Sequence, residues 1–285
     1  AAYVGGDVTA GVLSSGLYKH HGLALFMDVG TNGEMVLGNS EWMVACACSA
    51  GPAFEGAGVR CGMRATEGAV EDVTINYHTL EPTLRVIGGG PPRGICGSGM
   101  IAALAEMFVT GVLGKGGRFN AGLERGRGNG RRRIVPTDHG PAYVLAWASE
   151  SATGEDVLLT ETDVSNLIRT KGAIYAGLTV MLRSLGIEVE DIDTVLIGGA
   201  FGQHINVERA ILIGLLPDLP WDRFRFLGNT SALGAYQMQV SRRARRQVEE
   251  IASKVTYLEL VADNAFMNEF TSALFLPHTD IDTFP

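Results

Sequence analysis

Asp28-Val-Gly-Thr-Asn-Gly-Glu34 lies between the apolar runs Leu23–Met27 and Met35–Leu37 and reads as strand, glycine turn, strand, with a carboxylate at the lip of the turn. Gly30 and Gly33 let a backbone turn tightly and bring its N–H groups close to an anion, and Thr31 and Asn32 add side-chain donors that a phosphate accepts. Asp28 then suits a Mg²⁺ ion held through water. The same residues also fit an ordinary hairpin with a polar tip, because Asn-Gly is by itself a hairpin signal. A second element is needed to decide between the two.

That element lies far along the chain. Asp193-Thr-Val-Leu-Ile-Gly-Gly-Ala-Phe-Gly202 is a short apolar strand entering a glycine-rich turn, and Asn206 then caps a helix over Val-Glu-Arg-Ala-Ile-Leu-Ile. Gly198 and Gly199 leave the backbone open to a flat adenine ring or its ribose. Gly228-Asn-Thr-Ser-Ala-Leu-Gly234 repeats the pattern: strand Phe224–Leu227 turns into a helix near Ser231, whose first-turn N–H groups can take another polar ligand group.

The ordered motifs Asp28–Glu34, Ala50-Gly-Pro-Ala-Phe-Glu-Gly56, Arg60-Cys-Gly-Met-Arg64, Gly94-Ile-Cys-Gly-Ser-Gly99, Ile197-Gly-Gly-Ala-Phe-Gly202 and Gly228-Asn229 resemble the C-terminal domain of the reductive activators of corrinoid proteins. The similarity runs from Gly5 to His278. That family belongs to the superfamily of acetate and sugar kinases, heat-shock chaperones and actin. The resemblance implies an α/β fold, a ribonuclease-H-like, actin-like ATPase with a mixed sheet flanked by helices. It implies that Asp28, Gly30, Thr31, Asn32 and Gly33 form the second phosphate loop, with Glu34 as the catalytic carboxylate. Gly198, Gly199, Ala200, Phe201 and Gly202 would form the adenosine loop, with Gly228, Asn229 and Ser231 completing the grip on ATP and Mg²⁺.

Family members carry, upstream of this region, a ferredoxin-like domain with an iron–sulfur cluster, a middle domain and a first phosphate loop of Asp-x-Gly-Thr-Thr type. None is found in this sequence; Asp7-Val-Thr-Ala-Gly11 reads as a helix start instead. The chain therefore reads as the C-terminal part of a longer protein, holding one wall of a two-walled cleft, with the 2Fe-2S cluster in the N-terminal domain. Alone it is expected to hydrolyse ATP poorly.

Composition agrees with a folded α/β body. At 285 residues, 46% hydrophobic and 19% charged, the chain can bury a large core. It has no apolar run of spanning length and no signal-peptide pattern, which points to a cytoplasmic protein away from membranes. A net charge of −8 argues against general nucleic-acid binding. Two basic runs stand apart. Arg118–Arg133 is rich in glycine and arginine and reads as an exposed mobile loop, or as a docking patch built on Arg125, Arg127, Arg131, Arg132 and Arg133. Arg242-Arg-Ala-Arg-Arg246 sits within an expected helix Ser231–Ile251 and reads as its solvated face.

Four cysteines raise the question of a metal. Cys46 and Cys48 point to one side of an extended strand, but Cys61 and Cys96 have no nearby mate, so buried thiols are the simpler reading. The histidines gain no role; His204, just beyond the adenosine loop, is the one near the site. Along the chain, Leu23–Val29, Met35–Leu37 and Trp42–Ala47 read as strands. Thr160-Glu-Thr-Asp163 opens a long helix that ends at Gly186 and feeds strand Thr194–Ile197, a crossover suited to a parallel pair. Asn264–Phe275 reads as a last helix. The expected organisation is a leading helical segment 1–21, a ribonuclease-H-like lobe 22–230 with a flexible insertion near 115–140, and C-terminal helices with a strand over 231–285.

The function so implied is an ATPase that, with an iron–sulfur electron donor, returns a corrinoid protein from Co(II) to Co(I) for methyl transfer. Its partner would be that corrinoid protein, with homodimer formation left open. A sugar or carboxylate kinase of the same superfamily and a non-catalytic interaction module are the alternatives. Glu55, Arg60 and Arg64 fit a structural ion pair as well as a ligand contact.

Overall fold

The computed structural model describes residues 4–123, 132–138, 140–199, 205–260, 264–280, 282 and 284. In chain order the helices are α1 (Gly6–Ser15), α2 (Gly97–Val109), α3 (Glu161–Leu185), α4 (Val207–Leu212), α5 (Thr230–Val240), α6 (Arg242–Lys254) and α7 (Ala265–Ala273). The strands are β1 (Ala24–Val29), β2 (Gly33–Gly38), β3 (Met43–Cys48), β4 (Ala69–Ile75), β5 (Pro82–Val86), β6 (Gly94–Ile95), β7 (Ile134–Thr137), β8 (Gly140–Ala146), β9 (Val157–Thr160), β10 (Thr194–Gly198), β11 (Phe224–Gly228) and β12 (Val255–Tyr257). These collect into two compact units. One comprises Ala1–Ala50, Ala173–Gln203 and Pro217–Thr271; the other comprises Gly51–Gly172, His204–Leu216 and Ser272–Pro285.

The first unit is built on a six-stranded sheet in the order β11-β10-β1-β2-β3-β12. β1 is parallel to β10, and β10 to β11, whereas the β1–β2 and β2–β3 pairs are antiparallel. Side chains alternate across the strands and so feed two cores. On one face, Phe26, Val36 and Leu196 join Val8 and Val12 of α1 and Ala244 and Ile251 of α6. On the other face, Cys46 Sγ lies 3.7 Å from Met181 Sδ of α3, and a Cβ on Gly177 of α3 would come within 2.8 Å of Met35.

Glycine sets how closely α1 and α5 approach. A Cβ on Gly234 would fall 2.1 Å from the Ala10 carbonyl oxygen, and one on Gly11 would fall 2.6 Å from the Phe26 ring. Ser14 Oγ donates to the Thr230 carbonyl at 2.7 Å, so the two helices run antiparallel with Ser14 beside the start of α5.

The long helix begins with the expected reciprocal cap: Asp163 N–H donates to Thr160 Oγ1 at 3.1 Å, and Thr160 N–H donates to Asp163 Oδ2 at 2.9 Å. It ends before Gly186, whose φ of 65° is left-handed. The expected single helix Ser231–Ile251 is instead two. Ser241 is extended (φ −132°, ψ 118°), and its hydroxyl accepts the Ala244 N–H at 3.3 Å, so a serine suited to capping ends α5 and starts α6. Arg245 closes the break by donating from Nε to the Met238 carbonyl at 2.8 Å.

The second unit holds two three-stranded sheets, β5-β4-β6 and β7-β8-β9. α2 lies close on β4, where a Cβ on Gly99 would be 2.2 Å from the Val70 carbonyl oxygen. Asn206 caps α4 as expected, accepting the Arg209 N–H at 3.1 Å. The Arg209 guanidinium pairs with Asp72 of β4 and, at 3.1 Å, with Glu106 of α2. Arg133, expected in a mobile loop, is a structural residue instead. It is 10% exposed, pairs with Glu81 and lies 5.3 Å from the Trp147 ring centre. Arg125, Arg127 and Arg131 lie outside the described residues.

Lys171 of α3 is fully buried and donates from Nζ to the carbonyl oxygens of Phe275 and Pro277, tying the C-terminal segment to this unit. Burial alone pushes its ammonium down from 10.5 to about 7. The unfolded chain keeps this proton to about pH 10.5, so above about pH 7 the unfolded state binds more protons and stability rises with pH. Cys46 and Cys48 act oppositely above pH 9, because burial raises their thiols above the ordinary 9.0 and the unfolded chain ionises first. The window for Lys171 is therefore pH 7 to 9. Urea unfolding of the native protein and Lys171→Met should diverge there, the native protein gaining up to ~1.4 kcal/mol per pH unit on the variant. Parallel curves would contradict it.

Candidate functional site

Strand pairing in the first unit places the expected site residues in one row. Glu34 of β2 is opposite Asp28 of β1, Asp28 is beside Gly198 of β10, and Gly198 is beside Gly228 of β11. Thus segments 28–34, 198–199 and 228–231, far apart in sequence, meet at the edge where β1, β10 and β11 end. Ligands of parallel sheets bind at the carboxyl ends of their strands, where loops diverge and helix starts offer N–H groups.

The first loop is Gly30-Thr31-Asn32, closed by a hydrogen bond from Gly30 N–H to the Asn32 carbonyl at 3.0 Å. Neither Gly30 nor Gly33 has a left-handed φ, so the expected glycine-driven turn is not how this hairpin forms. Gly33 already opens β2, and its missing side chain makes room for neighbours instead. A Cβ there would be 2.8 Å from Cys48 Sγ and 3.0 Å from Ile174 Cγ1. Gly199 does need its freedom: its φ is 93°, and a Cβ would come within 2.9 Å of both Asp28 Oδ1 and the Val29 carbonyl oxygen. Gly198 is equally constrained, with Thr230 Oγ1 2.5 Å from its virtual Cβ.

Asn229 is the N-cap of α5: its Oδ1 accepts the Ala232 N–H at 2.9 Å and the Ser231 hydroxyl at 3.0 Å. Ser231 therefore supports the cap. Thr230, next to it, is buried, and its Oγ1 has no hydrogen-bond partner among the described residues. Ala200, Phe201 and Gly202, together with His204, lie outside the described residues.

Glu34 is held above the ordinary carboxylate range. Burial is the largest cause; the Asn32 side chain pulls down by hydrogen bonding to it, and the charges of Asp7 and Asp28 push it up. Asp7 is the residue that sequence reasoning missed. It sits in the first turn of α1, which packs through Val8 and Val12 on the sheet face of Phe26 and Val36, and its charge acts on Glu34. Its negative charge next to a rising carboxylate makes a test: Asp7→Asn should lower the Glu34 pKa, so the acid limb of any activity that needs ionised Glu34 moves to lower pH. A stationary limb would separate Asp7 from the site.

Asp28, Glu34 and Asp7 are oxygen donors suited to a hard divalent cation. Among the described residues no three His, Cys, Asp or Glu side chains are grouped so as to hold a metal by themselves. A cation held partly by water and by ligand phosphates fits this donor set. The space left by the missing side chains of Gly198 and Gly199 is taken by Thr230, Phe26, Asp28 and Val29, so these glycines bring β10 close to its neighbours rather than leave a bare surface as expected.

Cys46 and Cys48 share one face of β3, both buried and both with raised thiol pKa. Cys61, Cys96, Glu55, Arg60 and Arg64 belong to the second unit; Arg60 donates its backbone N–H to Asp163 at 2.9 Å, supporting the start of α3. A cavity of about 500 Å³ in that unit is lined by Arg118, Glu161, Asn166 and Arg169 among others, none of them an expected site residue. No described helix is long and apolar enough to cross a membrane.

Strand order β3-β2-β1-β10-β11, with only β2 antiparallel to its neighbours, and a site at the strand ends define the ribonuclease-H-like fold of the actin-like ATPases. The chain belongs to the family described as the C-terminal domain of RACo, the ASKHA domain, whose model matches residues 22–285. It is similar to the solved structure of a reductive activator for corrinoid, iron-sulfur protein, with a TM-score of 0.95 and 48% identity over 100% of this chain and 44% of that one. It is 34% identical to the corrinoid activation enzyme RamQ of Eubacterium limosum, over 94% of this chain and 45% of the relative. It is 26% identical to the [Co(II) methylated amine-specific corrinoid protein] reductase of Methanosarcina barkeri, over 95% and 49%. The chain thus spans about half the length of the relatives it matches.

Proposed function

We propose that this chain is the ATP-binding and ATP-hydrolysing part of a protein that reductively activates a corrinoid protein. The observation that carries the reading is the row Glu34, Asp28, Gly198, Gly228, which joins a carboxylate pair to two glycine-bearing strand ends where parallel strands finish. Asp28 would hold Mg²⁺ through water, and Gly30, Thr31, Asn32 and Gly33 would take the phosphates. Gly198 and Gly199 would border the adenosine, the role that the family resemblance also implies for Ala200, Phe201 and Gly202, and Gly228, Asn229 and Ser231 would bound it at the start of α5. Mg²⁺, when bound, neutralises charge on the phosphates. Glu34, with its raised pKa, takes a proton from the attacking water more readily than an ordinary carboxylate does.

Hydrolysis by itself moves no electron. The electron that converts Co(II) to Co(I) comes from a 2Fe-2S cluster in a separate N-terminal domain, and the first phosphate loop also lies upstream of this chain. ATP acts by binding one arrangement of the complete protein and its partner better than another, which is the way a ligand shifts such an equilibrium. The test uses the complete protein, a Co(II) corrinoid protein and a reductant, following Co(I) by its absorbance. Formation of Co(I) should require Mg-ATP; reduction at the same rate without nucleotide would overturn the reading. A phosphorylated sugar or carboxylate as product would move the protein to the kinases of its superfamily.

A further inference from the structure

Glu34 faces acids. Asp28 is its cross-strand partner on β1, and the charges of Asp28 and of Asp7 on α1 both act on it. Like charges directly opposite one another on paired strands repel. On β3, Cys48 feels the Glu34 charge, but burial above all pushes its thiol up to about 12, so it stays neutral wherever Glu34 titrates. Among the described residues the groups that act on Glu34 include no cation.

A half-buried carboxylate repelled by its neighbours swings on its rotatable side chain unless something holds it. One side chain does, the Asn32 amide, which hydrogen-bonds to it. Asn32 is the last loop residue before β2 and stands two positions from Glu34, the spacing at which side chains of an extended chain share a face. An ionised carboxylate only accepts hydrogen bonds, so the amide nitrogen is the donor. That nitrogen carries two N–H groups, and the second remains for a phosphate. The backbone of Asn32 is itself fixed, because its carbonyl accepts the Gly30 N–H at 3.0 Å and closes the loop.

We propose that Asn32 is the positioning residue for Glu34: its amide holds the carboxylate against the repulsion of Asp28 and Asp7, in the orientation from which it takes a proton from the attacking water. The inference rests on the function proposed above and gives Asn32 a duty in the chemistry besides its contact with phosphate. The two duties differ in their kinetics. A phosphate contact acts in ATP binding and works independently of Glu34, whereas a tether acts on turnover and only through Glu34.

The experiment measures ATP hydrolysis by the complete protein against pH, with calorimetric ATP titration, in Asn32→Ala, Asn32→Asp, Glu34→Gln and the double variant Asn32→Ala with Glu34→Gln. Asn32 has no left-handed φ, so its backbone admits alanine, and the unfolding midpoint checks that each variant is folded. Turnover should fall ~10–100-fold in Asn32→Ala, the cost of a misplaced reacting group. It should fall further in Asn32→Asp, which sets another carboxylate beside Glu34. The amide favours the ionised form of Glu34 by donating to it, so its removal should move the acid limb to higher pH, opposite to the shift expected of Asp7→Asn. The losses in Asn32→Ala and Glu34→Gln should not multiply in the double variant, because a side chain that accepts no proton gains nothing from being held. A stationary limb, or losses that multiply, would make Asn32 a phosphate contact alone and overturn the inference while leaving the function intact. Weakened ATP affinity with unchanged turnover would overturn it in the same way. If the native protein hydrolyses no ATP, the functional reading itself fails, and the tether fails with it.

Discussion

Glu34→Gln should lower the proposed ATP hydrolysis of the complete protein ~10²–10⁴-fold, the range a positioned general base contributes, with ATP affinity retained. Glutamine keeps the shape and the hydrogen-bonding capacity toward Asn32 but accepts no proton from water. The dependence on pH gives a second expectation. Glu34 titrates above its ordinary 4.5 because it is buried and faces Asp7 and Asp28, so the native rate should rise with pH through that raised value. The variant should lose this limb. Stability should move the other way, since a raised carboxylate pKa means that ionised Glu34 costs the fold free energy as pH rises through it, and the amide has no such cost. Phosphate release and calorimetric ATP titration decide the matter: unchanged hydrolysis removes Glu34 from the chemistry, and lost ATP binding makes it a ligand contact instead.

Gly234→Ala should destabilise the protein although it replaces a glycine inside a helix. Helix propensity alone favours alanine by about 1 kcal/mol at such a site. Against this, the new Cβ would fall 2.1 Å from the Ala10 carbonyl oxygen and 2.6 Å from its carbonyl carbon, both backbone atoms of the facing helix. Overpacking of this kind costs ~1–3 kcal/mol, and here α1 and α5 must separate to admit the methyl group. Thermal unfolding reports the effect. A variant as stable as the native protein would show that the helix pair can adjust freely.

Much of this was legible in the sequence because it is local. The strands around Asp28–Glu34, the cap Thr160–Asp163, the helix end at Gly186 and the cap at Asn206 all arise from residue chemistry within a few positions. The resemblance of six ordered motifs then joined segments that spacing could not join. The features that escaped are set by contacts distant in sequence. Asp7 acts on Glu34 because α1 packs on the sheet through Val8 and Val12, and nothing near Asp7 announces it. Gly33 read as a turn residue, yet its neighbours are Cys48 and Ile174 on other elements. The break at Ser241 was hidden because apolar periodicity continues on both sides of it, and a single serine cap outweighed that pattern. Arg133 belonged by composition to its arginine-rich surroundings, but Glu81 and Trp147 claim it. Lys171 is the extreme case, a charged residue in an apolar helix face whose acceptors lie on the far C-terminal segment.

The pairing of Ala24 with Thr194 has a consequence for how the protein is made. During synthesis β1, β2 and β3 leave the ribosome before β10, and the open side of β1 presents unpaired N–H and C=O groups until β10 emerges. Such an edge can recruit any passing strand. Contacts this distant in sequence also slow folding, because a long loop must close before the pairing rewards it. The row of Glu34, Asp28, Gly198 and Gly228 can therefore assemble only after β10 and β11 are made, and until then β1 remains an edge open to wrong partners.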